Sequence, residues 1–130
     1  MKEFRKTYCE CLGESRVKSI PWKERNRLNN EKITRYMARN FLVFLLMNKK
    51  IKDPIKISFS ERAVFIPGTR RRYWGLTYCW CRTIILFRPS VWVFLHELAH
   101  ICAPSKSWHD EKFAKQLLKL YGWWKEFKDA

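Results

Sequence analysis

The chain has 130 residues, 47% of them hydrophobic and 16% aromatic, with only 4 Gly and 5 Pro. That suffices for one packed domain and excludes a disordered or fibrous chain. Lys and Arg number 27 against 12 Asp and Glu, a net charge of +15; a field of that sign attracts polyanions such as DNA, although charge alone defines no site.

Met1–Tyr8 is charged and lacks both an apolar stretch and a small-residue cleavage site, so no secretory signal is read there. The longest apolar run, Phe41–Met47, is too short to span a bilayer. The expectation is an intracellular, cytoplasmic protein with no membrane partner. Residues 1–28 are polar, basic and weakly periodic, which reads as an N-terminal arm, with Trp22 after Pro21 able to dock on the core. Residues 29–130 read as a single domain. The five cysteines fall as Cys9-x-Cys11, Cys79-x-Cys81 and a lone Cys102. An odd count in an unsecreted chain argues against a disulfide framework. Pairing the two C-x-C pairs on a second, structural metal is a weaker reading than reduced thiols, because the usual spacing is C-x-x-C.

A first helix is expected from Glu31 to Met47, capped by Asn30, with Ile33, Tyr36, Met37, Phe41, Phe44 and Leu45 on one face. Ile55, Ile57 and Phe59 alternate with polar residues, as in a half-buried strand. Ala63–Ile66, Tyr73–Tyr78 and Thr83–Phe87 read as further strands, broken by Pro67-Gly68 and the basic loop Arg70–Arg72. A second helix runs Val91–Ala103 between Ser90 and Pro104. A third begins at the capping box Ser107-x-x-Asp110 and ends at Gly122, with Phe113, Leu117, Leu120, Tyr121 and Trp124 as its apolar face. The fold class is therefore α+β: an N-terminal helix, a small three- to four-stranded, mostly antiparallel sheet, an active-site helix and a C-terminal helix.

His96-Glu97-Leu98-Ala99-His100 is an H-E-x-x-H motif within the second helix. Residues four apart share one helix face, so the two imidazoles can hold one metal ion. Glu97 lies about 100° round the helix, where it borders the metal and suits a general base better than a ligand. A catalytic zinc site takes three protein ligands and keeps one position open. The chain has only three His, all between positions 96 and 109, and His109 is the third-ligand candidate. Asp110 and Glu111 compete with it, Asp110 being better suited to capping or to accepting an imidazole N–H. Tyr121, Tyr78 or a nearby Arg are candidates for stabilising an oxyanion.

The motif, followed by His109-Asp110-Glu111-Lys112-Phe113, resembles the H-E-x-x-H … H-G-x-x-F arrangement of SprT/Spartan-like zinc proteases and their small phage-encoded relatives, a minimal gluzincin-like type. Gly75–Tyr78 and Ile84–Leu86, leading into Phe94-Leu95-His96, are similar to the hairpin before their active helix. The resemblance covers roughly residues 55–120. It implies one catalytic Zn2+, a protein or peptide substrate and action on DNA-associated proteins. Asp110 stands where those proteins usually carry Gly, and their C-terminal zinc ribbon is missing. ImmA/IrrE-type proteases are a weaker match, since they use Glu where His109 stands. The metzincin pattern is absent: Ala103 and Lys106 replace its Gly and last His.

The alternative is a nucleic-acid-binding module with a structural or inactive zinc site, in which Trp74 and Trp80 would stack on bases. A metal-dependent nuclease is weaker still, because few carboxylates are available to hold Mg2+.

Overall fold

The computed structural model describes residues 20–103 and 111–129. They form four helices and one sheet: α1 (Trp22–Asn30), α2 (Arg35–Met47), β1 (Lys56–Phe59), β2 (Gly75–Tyr78), β3 (Thr83–Leu86), α3 (Val91–Cys102) and α4 (Glu111–Asp129). The class is α+β, as expected, but two helices rather than one precede the sheet: α1 falls largely in the stretch expected to be an arm.

The first helix differs from its expected bounds. Asn30 does not cap a helix beginning at Glu31; its amide donates to the Asn26 carbonyl at 3.0 Å and so serves the end of α1. Glu31–Ile33 is extended and pairs with the chain before α3: Ile33 N–H donates to Pro89 O, and Val91 N–H donates to Glu31 O. Burying Ile33 in that pairing outweighs helix propensity. The cap of α2 is Thr34, whose hydroxyl accepts from Met37 N–H at 3.1 Å. Within the stretch expected to be an arm, Ile20 and Leu28 enter the core, while Trp22 stays exposed.

The sheet has three strands in the order β1-β3-β2, β1 parallel to β3 and β2 antiparallel to it. It is therefore mixed. Ala63–Ile66 contributes only an isolated bridge, Phe65 to Arg72. The β2–β3 turn has no Gly or Asn because it is a 3-10 turn, Cys79–Cys81, followed by Arg82 in the left-handed region at φ 50°. Arg82 is fastened there by its guanidinium, which donates to Asp53 O (2.8 Å) and Pro54 O (3.2 Å).

α3 is capped as expected, the Ser90 hydroxyl accepting from Val93 N–H. Residues 91–101 are all buried. The helix packs on β2, β3, α1 and α4, so the sheet and the other helices enclose it. α4 does not stop at Gly122; it runs on to Asp129, and Trp124 and Phe127 join Phe41, Phe44 and Phe94 in an aromatic cluster between α2, α3 and α4. Burying Trp124 and Phe127 offsets the roughly 1 kcal/mol cost of a mid-helix glycine. Among the described residues, no helix is long and apolar enough to cross a membrane.

Candidate metal centre

The buried helix α3 carries the His pair and the acid. One ligand atom from each of His96, Glu97 and His100 lies within 4.8 Å of the others, and each residue is 2% exposed. The two imidazole centroids are 5.0 Å apart, and His96 Nε2 is 4.0 Å from Glu97 Oε2. Two imidazoles one helical turn apart with a carboxylate beside them can hold a metal ion.

β2 supplies the wall behind Glu97. Alternation along the strand turns Gly75 and Thr77 to the same side, toward α3. The Thr77 hydroxyl has Glu97 Oε1 at 2.6 Å and the Glu97 carbonyl at 3.1 Å as acceptors. A side chain at position 75 would force its neighbours to shift: a Cβ there would lie 2.8 Å from Glu97 Cγ and 2.9 Å from Val93 Cγ1. Glycine thus lets the strand approach the helix closely enough for Thr77 to reach the carboxyl. Burial pushes the Glu97 carboxyl up to about 8, and the Thr77 hydrogen bond opposes that rise.

α4 closes the other side. The Phe113 ring stacks on His100 at 4.5 Å and meets His96 edge-on at 5.0 Å. Cys79 in the β2–β3 turn donates from Sγ to His100 O at 3.4 Å. Burial raises the Cys79 thiol, and the nearby Glu97 carboxylate adds to that rise.

Of the expected site residues, the structure brings His96, Glu97 and His100 together. His109, Asp110 and the capping box at Ser107 lie outside the described residues. Glu111 is exposed at the first described position of α4. Tyr121 hydrogen-bonds Glu24 of α1, eight residues beyond Phe113, which is about 12 Å along a helix. Tyr78 packs with Ile66, Tyr73 and Leu76 on the sheet side opposite Thr77. Cys79, Cys81 and Cys102 are free thiols; Cys9 and Cys11 lie outside the described residues, and with them the four-cysteine site. Trp80 is 87% exposed, whereas Trp74 is half-buried beneath the Arg88 guanidinium at 4.7 Å.

Sequence reasoning named neither Gly75, Thr77 nor Phe113 as part of the site. The Gly-x-Thr spacing in a strand was the available signal for the first two, since it puts two small side chains on one face. Phe113 was legible as a core residue and as the last residue of the stretch resembling H-G-x-x-F, but neither reading assigned it a contact with the imidazoles of His96 and His100. Compared with protein-family models, curated proteins and solved structures, the chain matches none.

Proposed function

We propose that the protein is a zinc-dependent metallopeptidase in which His96, His100 and His109 hold the metal and Glu97 is the general base. The observation that carries this reading is the convergence of His96, Glu97 and His100 within 4.8 Å on one buried helix. The donor set fits zinc, which takes imidazole nitrogen readily and tolerates a carboxylate neighbour. Four peptide units separate residue 109 from Phe113, a span of at most about 15 Å, and Phe113 lies on both imidazoles. The start of α4 is therefore within reach of the metal centre.

Bound zinc would supply Lewis acidity, polarising a substrate carbonyl and acidifying water. Glu97 takes the proton from the attacking water and returns it to the departing amine. Burial raises its proton affinity, and the charge of a bound zinc would oppose that rise and favour the carboxylate that a base requires. Thr77 keeps the carboxyl aimed by fixing Oε1, leaving Oε2 toward His96. The resemblance to SprT/Spartan-like proteases, together with the +15 charge, extends the proposal to proteins associated with DNA.

The test is metal content and hydrolysis measured together. The purified chain should carry one zinc and cleave casein or histone in a chelator-sensitive way. Glu97→Gln should keep zinc and lose hydrolysis, and His100→Ala should lose the metal. Full hydrolysis by Glu97→Gln would overturn the base assignment.

A further inference from the structure

Away from the metal centre, a cavity of about 470 Å3 opens between the 61–63 loop, the 70–74 segment and the 87–89 segment. Four arginines are among the residues that line it, Arg62, Arg70, Arg72 and Arg88, against one acidic residue, Glu61. The local backbone explains how they converge. Gly68 at φ 76° turns the chain, and the Thr69 hydroxyl donates to Ile66 O at 2.9 Å. Ile66 N–H to Arg71 O (2.8 Å) and Tyr73 N–H to Val64 O (2.9 Å) then hold 64–73 as a short hairpin. Arg70 and Arg72 both line the cavity, and Arg71 between them does not. On the far wall Arg88 is preset: its guanidinium rests on the Trp74 ring at 4.7 Å and donates from Nη2 to Asn29 O at 3.3 Å.

We propose that this cavity binds the diphosphate group of a small phosphorylated ligand, either free diphosphate or a nucleoside diphosphate. Guanidinium forks match phosphate and carboxylate oxygens alike, so charge and size decide between them. The lining carries a surplus of three positive charges over Glu61. One carboxylate leaves most of that surplus unanswered, whereas two linked phosphates bring about three negative charges at neutral pH. The volume is also far larger than one oxyanion requires, since a water occupies about 30 Å3. This site shares no lining residue with the His96–His100 pair and stands independently of the peptidase reading.

The experiment is isothermal titration of the full chain with inorganic pyrophosphate and with adenosine diphosphate, at about 0.15 M salt to screen diffuse attraction. Saturable one-to-one binding is expected. Arg72→Gln should weaken it about 10-fold and Arg72→Lys by less, because lysine keeps the charge and loses the fork. Arg71→Gln removes the same charge from outside the lining and should change affinity less than twofold. Circular dichroism of each variant separates lost binding from lost fold, and the lysine variant keeps the test open should the glutamine variant unfold. Tighter binding of adenosine diphosphate than of pyrophosphate assigns the site to the nucleotide; equal binding assigns it to the diphosphate alone. Equal losses from Arg71→Gln and Arg72→Gln would reduce the effect to net charge and overturn the proposal. So would binding of a single-stranded oligonucleotide, with Arg72 dependence, by a chain that ignores both small ligands.

Discussion

Thr77 aims its hydroxyl at Glu97 from the neighbouring strand, 2.6 Å from Oε1, in a space sealed from solvent. Without metal, the buried carboxyl binds its proton up to about pH 8, against an unperturbed value of 4.5. The folded chain therefore holds more protons than the unfolded chain between those values. Stability from this group is complete below about pH 4.5 and is lost as pH rises toward 8. Urea denaturation in chelator should show metal-free wild type losing a few kcal/mol, to order of magnitude, across that window relative to Glu97→Gln. Parallel profiles for the two proteins would remove the buried-acid argument.

Thr77→Val keeps the shape and removes the donor. Since the hydroxyl favours the ionised carboxyl, its loss raises the proton affinity of Glu97 further. If Glu97 is the base, the acid limb of the pH–rate profile moves to higher pH, and activity at pH 7 falls about tenfold. Thr77→Ser restores both. An unmoved acid limb in Thr77→Val would show that the hydroxyl does not tune the base.

Gly75→Ala puts a methyl within 2.8 Å of Glu97 Cγ and 2.9 Å of Val93 Cγ1, both in the core. Neither side chain has a solvent escape, so β2 must move off α3. A loss of about 1–3 kcal/mol is expected from overpacking of this kind. Thermal denaturation of the metal-free protein measures it without reference to activity.

Phe113→Ala removes the ring that packs both imidazoles. Cavity formation should cost about 3–5 kcal/mol, and zinc affinity, read by competition with a chelating dye, should drop at least tenfold as the rings lose their support. Phe113→Leu should recover most of the stability and less of the affinity, because an aliphatic chain fills space without stacking.

Gly122→Ala should stabilise the protein by about 0.5–1 kcal/mol. Position 122 is inside α4, and an added Cβ meets nothing within 4 Å. The midpoint of urea unfolding would report it. A destabilised variant would mean that the helix is interrupted at 122 after all.

The elements that declared themselves in the sequence were those with strong local chemistry. Ser90 before a run without a helix breaker set the start of α3, and the i, i+4 spacing of His96 and His100 marked a pair that the structure buries side by side with Glu97, able to hold a metal ion. Boundaries decided by distant partners did not declare themselves. Asn30 looks like a start signal, yet the extended pairing of 31–33 with 89–91 places it at a helix end. Gly122 looks like a stop signal, yet Trp124 and Phe127 find aromatic partners on α2 and carry α4 past it. The parallel β1–β3 pairing depends on a chain excursion from residue 60 to 74 that has no periodicity of its own. Thr77 escaped notice for a related reason: a threonine in a strand acquires meaning only from whatever stands opposite it.

From Val91 to Ile101, α3 offers water no side at all. An element enclosed in this way has no inexpensive private route of opening, so its amides should exchange with solvent only when the surrounding helices and strands separate. Any ion gripped by its imidazoles then draws on the same equilibrium, and occupancy of two ring nitrogens is felt as resistance to unfolding throughout the packed unit.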